Sequence, residues 1–163
     1  MTLGIKDVQS WRKAFFESVE HLSERCLDGA VVTEIGHTHE MPEELLGAFV
    51  QVVSGEGAVL LGITGPSESC NGLAKLMLGM APEDDIDERD ANDAMGEIAN
   101  IAAGTTKSKL ASTIENIEVG LPLFLSGRLR AVGNIAIDLT EVTIGPYRCA
   151  LMVFALTGKQ RSN

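Results

Sequence analysis

An α+β fold, with helices packed on one antiparallel sheet, is predicted by three features of the sequence. Apolar residues recur at helical spacing in three separate segments, and five apolar runs of strand length are divided by turn residues. GAVLLGITG (57–65) and CALMVFALTG (149–158) also read as two versions of one buried strand, each in a segment led by an amphipathic helix. Two pseudo-repeated halves are therefore expected.

In residues 7–27, Val8, Trp11, Phe15, Val19, Leu22 and Cys26 recur every three or four positions, which makes an amphipathic helix that Gly29 can close. LLGAFVQVV (45–53) and GAVLLGIT (57–64), separated by Ser54-Gly55-Glu56, form a hairpin of mostly buried strands. Gly65-Pro66-Ser67-Glu68 turns the chain into a short helix, SESCNGLAKLMLG (67–79), ending near Gly79. Pro82 opens the acidic run EDDIDERDAND ahead of a long helix over about 84–110, where negative charge meets the partly positive first amides. LPLFLSG (121–127), LRAVGNIAIDLTEV (129–142) and GPYRCALMVFALTG (145–158) follow as three strands, before a polar KQRSN tail.

The chain has 163 residues, 45% of them apolar, enough for one substantial core, so residues 1–163 are expected to be a single domain. Cys26, Cys70 and Cys149 are odd in number and lack CxxC spacing, which suggests reduced, buried thiols and neither a disulfide framework nor a zinc knuckle. MTLGIKDVQSW has no basic stretch followed by an apolar run, and AVLLGIT (58–64) and ALMVFAL (150–156) are too short to cross a bilayer. A cytoplasmic protein without a membrane partner is expected. A formal net charge of −10 argues against nucleic acid, whose binding relies on basic surfaces that release counterions. Proteins and small molecules are the remaining partners.

The long helix is unusual. Ala91, Ala94, Met95, Ile98, Ile101, Ala102 and Thr105 share one broad side, the expected core stripe. Opposite them, Asp93, Glu97, Asn100 and Gly104 line up at spacings of four, three and four. A merely solvated face would be served better by Ala, Glu or Lys, because Gly96, Asn100 and Gly104 together forgo on the order of 2 kcal/mol of helix propensity. Small residues beside a carboxylate and an amide suit a surface that another protein approaches closely, meeting one acceptor and one bifunctional hydrogen-bonding group.

The pattern Asp93-xxx-Glu97-xx-Asn100-xxx-Gly104 resembles the D/S-x-x-x-E-x-x-N-x-x-x-G signature of the CheC/CheX family of chemotaxis phosphatases. The order of helices and strands resembles that family along nearly the whole chain. The resemblance implies hydrolysis of the phospho-aspartate of a phosphorylated CheY-type receiver domain. Asn100 would orient the attacking water and Glu97 would pair with a receiver lysine, while Asp93, Gly96 and Gly104 would complete the docking face. The receiver would supply Mg²⁺, so the chain would need no cofactor, metal or nucleophile of its own. Glu17-Ser18-Val19-Glu20 in the first helix carries Glu where a second signature would carry Asn. This implies one site, as in CheX-like members, which are homodimers joined through their sheets. The competing reading is a non-catalytic receiver-binding or flagellar-switch-like interaction module.

Other motifs carry less. His37-Thr38-His39-Glu40 has a metal-like HxH spacing but no third ligand in a clear register, and reads as an exposed loop. The GEG and GPS triplets lack the context of a phosphate loop. Cys70 stands near a helix start, where a thiol pKa can fall, yet a buried thiol fits it better.

Overall fold

Each amphipathic helix has to bury its apolar stripe, and all three do so on the same side of one sheet. The computed structural model describes residues 5–55 and 57–156. In chain order the elements are α1 (Ile5–Cys26), β1 (Val32–Thr38), β2 (Leu45–Ser54), β3 (Gly57–Thr64), α2 (Ser67–Leu78), α3 (Glu88–Leu110), β4 (Glu118–Gly127), β5 (Ile135–Ile144) and β6 (Tyr147–Leu156). Glu56 of the expected hairpin turn, residues 157–158 of the last expected strand and the polar tail lie outside the described residues.

The strands run in the order β1-β5-β6-β3-β2-β4, and every neighbouring pair is antiparallel. This is the expected α+β class. Exchanging β1 with β4, β2 with β5 and β3 with β6 gives the same order read from the opposite edge of the sheet. Helix α1 lies over β1, β5 and β6, whereas α3 lies over β2, β3 and β4 and touches both α1 and α2. Trp11, Phe15, Leu22, Leu73, Met95 and Ile98 fill the layer between helices and sheet. Between α1 and α3 the buried Thr106 hydroxyl donates to Ser18 Oγ at 3.1 Å, and the Ser18 hydroxyl donates in turn to the Ala14 carbonyl.

The opposite face of the sheet has a second, smaller apolar cluster of Leu45, Phe49, Leu139, Met152 and Phe154. Phe49 and Phe154 stack there at 6.0 Å between centroids. Phe49 faces Gly62 across the β2–β3 ladder, and a Cβ on residue 62 would stand 2.3 Å from the ring, so only glycine fits. This face explains the apolarity of ALMVFAL: β6 is central, with Leu151, Val153 and Ala155 turned to the helices and Met152 and Phe154 turned away. Its composition is core, and it is the edge strand β4 that exposes apolar side chains, Leu121 at 84% and Leu123 at 59%.

Three boundaries differ from the sequence expectation. Helix α3 begins at Glu88 because Asp87 adopts an extended conformation and its side chain accepts from Arg89 N at 2.7 Å, an N-cap that leaves residues 84–87 outside the helix. The strand expected from residue 129 starts at Ile135, since Gly133 at φ 92 breaks the extended run. Of the segment expected to be an exposed loop, His37-Thr38-His39-Glu40, the first two residues end the edge strand β1 and the last two lie beyond it. A bulge between Glu34 and Gly36 interrupts its alternation. The end of α2 is as expected, with Gly79 in the left-handed region at φ 66.

Burial sets the thiol chemistry. Cys70 is pushed up from 9.0 to about 11 by desolvation, against a smaller opposing effect of a backbone hydrogen bond at Gly65. Cys149 is pushed up to about 12 by desolvation, with the nearby Cys70 adding to it. Both thiols are neutral in either state below pH 9; above it the unfolded chain loses protons that the folded chain retains. Stability is therefore expected to decline as pH rises from about 9 towards 11. In native protein at pH 8, iodoacetamide should modify half-buried Cys26 while sparing Cys70 and Cys149. Rapid native labelling of all three would contradict this packing.

Candidate functional site

The ridge on α3 is positioned by what lies beneath it. Ala91, Ala94, Ala99, Ala102 and Ala103 are all buried, and their short side chains bring the helix backbone close to its neighbours, while Met95 and Ile98 fill the remaining space. Charge follows the helix dipole, with Glu88 and Asp90 in the first turn and Lys107 and Lys109 in the last. The expected stripe is buried except at Ile101 and Thr105, which are half-buried.

On the other side Asp93 and Glu97 are exposed, and Asn100 and Gly104 are half-buried. None of the side chains of Asp93, Glu97 and Asn100 makes a hydrogen bond or ion pair among the described residues, whereas the nearby Lys109 reaches across to Glu17 at 3.6 Å. A helix that leaves a carboxylate and an amide unpaired one turn apart presents both to an incoming partner. A Cβ at Gly104 would meet nothing within 4 Å, so no internal contact requires glycine there.

Gly96 is different. It is buried, and a Cβ on it would stand 3.6 Å from Pro122 Cβ, at ordinary contact distance. Its surroundings are those of a helix-to-strand packing position beside the open ridge. Pro122 is the neighbour that sequence reasoning missed. A proline inside a strand run is an edge-strand signal, and β4 is indeed paired on one side only, with β2.

The family model for chemotaxis phosphatase CheX matches residues 47–138, a span that includes the whole of α3. No curated protein sequence matches the chain. Among solved structures, a CheC-like superfamily protein from Shewanella sp. PV-4 superposes with a TM-score of 0.73 at 17% identity, covering 90% of this chain and 96% of that one. The chemotaxis protein CheX from Desulfovibrio desulfuricans gives 0.72 at 17% identity, over 90% and 99% of the two chains. A chain of the CheX–CheY–BeF3–Mg²⁺ complex from Borrelia burgdorferi gives 0.63 at 14% identity, over 89% and 96%. These likenesses are likenesses of fold.

Proposed function

Because the chain belongs to the chemotaxis phosphatase family CheX, we propose that it hydrolyses the phospho-aspartate of a CheY-type receiver domain. The observation that carries this reading is the pair Glu97 and Asn100, one turn apart on one side of α3 and without side-chain partners among the described residues, with open space over Gly104. The Borrelia relative in complex with CheY supports the choice of partner.

In this reading α3 docks against the phosphorylation site, and the Asn100 amide accepts from and donates to the water that attacks phosphorus. Glu97 pairs with a receiver lysine, and Asp93 and Gly104 border the contact. Phosphoryl transfer needs positioning and charge stabilisation more than covalent chemistry, so an amide fixed on a rigid helix is adequate equipment. Mg²⁺ comes with the receiver. The protein acts in the cytoplasm and as a homodimer, for which exposed Leu121 and Leu123 on the free edge of β4 provide suitable surface. No helix among the described residues is long and apolar enough to cross a membrane.

The test is the decay of a phosphorylated receiver domain with and without the protein. Faster loss of phosphate supports the enzyme; tight binding with unchanged decay identifies a non-catalytic receiver-binding module instead. Glu97→Ala is expected to weaken binding to the activated receiver by about 1–3 kcal/mol, because its lysine partner would be left desolvated and unpaired. Titration calorimetry showing equal affinities for wild type and variant would remove that role.

A further inference from the structure

The HxH motif lacked a third ligand in the sequence, and the β1–β5 register supplies one. His37 pairs with Thr140 and Thr38 with Leu139, so the chain leaving β1 passes Asp138. His37 Nε2 lies 2.9 Å from Asp138 Oδ2, and His39 Nδ1 lies 4.0 Å from the same oxygen. The two rings meet edge to face with centroids 4.8 Å apart. One ligand atom from each of the three residues falls within a span of 4.8 Å. We propose that His37, His39 and Asp138 form a binding site for a divalent transition-metal ion of the zinc class.

Three features favour a cation here. The Asp138 side chain is only 2% exposed, and a carboxylate that deep needs compensation. Its compensation is incomplete: among the described residues Oδ1 has no hydrogen-bond donor, and the Arg12 guanidinium is 3.4 Å away at Nε, which donates to Thr140 Oγ1 at 2.9 Å. Arg12 is moreover shared with Glu34, leaving one guanidinium against two carboxylates and a surplus negative charge before the histidines are counted. The ligand set is also right in kind, since two imidazoles and a carboxylate suit zinc, with a position left for water.

The adjustment required is small. Ligand atoms around a tetrahedral zinc stand roughly 3.3 Å apart, so Asp138 and His37 separate slightly and His39 closes in. His39 is 71% exposed, and its ring reaches the ion by giving up the hydrogen bond that its Nδ1 donates to the Ile137 carbonyl at 3.0 Å. Arg12 then holds the carboxylate from behind, the place usually taken by an outer-shell partner. The site joins the sheet edge to α1 and is built from none of the α3 ridge residues.

The untagged full chain titrated with Zn²⁺ by calorimetry, and with Co²⁺ by visible absorption, is expected to bind one ion per chain at submillimolar concentration, with the d–d bands of a tetrahedral site. His37→Ala and His39→Ala should each weaken binding about tenfold or more, and Asp138→Asn similarly. Zn²⁺ should raise the melting temperature of wild type and not of these variants. Asn100→Ala should bind the ion as wild type does. Should Asp138→Asn fail to fold, His39→Ala decides, because an exposed ring is removed without touching the core. Absence of saturable binding below millimolar ion overturns the site, as does binding that His37→Ala and His39→Ala leave unchanged.

Discussion

Asn100→Ala is expected to lower the acceleration of receiver dephosphorylation by roughly 10²-fold or more, the scale of losing one hydrogen-bonding group that acts only in the transition state. The fold should survive. Asn100 is half-buried with no internal hydrogen bond among the described residues, and Ala is a better helix former by roughly half a kcal/mol. Binding to the receiver should persist, because the proposed docking charge is that of Glu97, so the loss should fall on turnover and not on affinity. Phosphate release measured at saturating protein distinguishes the two. Undiminished turnover in Asn100→Ala would remove the amide from the mechanism and leave the ridge as a docking face at most.

Gly104→Leu should abolish activity while making the protein no less stable. Gly104 is half-buried, but nothing lies within 4 Å of the place a Cβ would take, and replacing glycine in a helix interior gains something under about 1 kcal/mol. The same side chain would project from the docking face, four residues beyond Asn100, where a receiver has to come within contact distance. A raised or unchanged melting temperature with lost phosphatase activity is the expected pair of results. A variant that melts several degrees lower would mean that Leu strains the helix against its own neighbours, and an active variant would mean that the receiver does not approach this turn.

Much of this was legible in the sequence because helices report locally. A 3.6-residue period carries its own geometry, so the opposition of Met95 and Ile98 to Asp93, Glu97 and Asn100 could be read without knowing what either side met. The hairpin of β2 and β3 was legible for a similar reason, its partners being separated by a short turn. Gly96 was not. Its place on α3 was clear, but its burial depends on Pro122, which arrives from β4. Strand β1 was hidden because an edge strand with a bulge has neither two buried faces nor a clean alternation.

The sequence by itself determined the fold class, the helices and the ridge on α3, since each follows from the spacing of residues a few positions apart. Only the tertiary structure decided that β6 is central and β4 an edge, and that Asp138 stands beside His37 across 101 positions of chain. Strand order and register are settled by which surfaces remain to be buried once every element has formed. That competition is among distant segments, and no local period records its outcome.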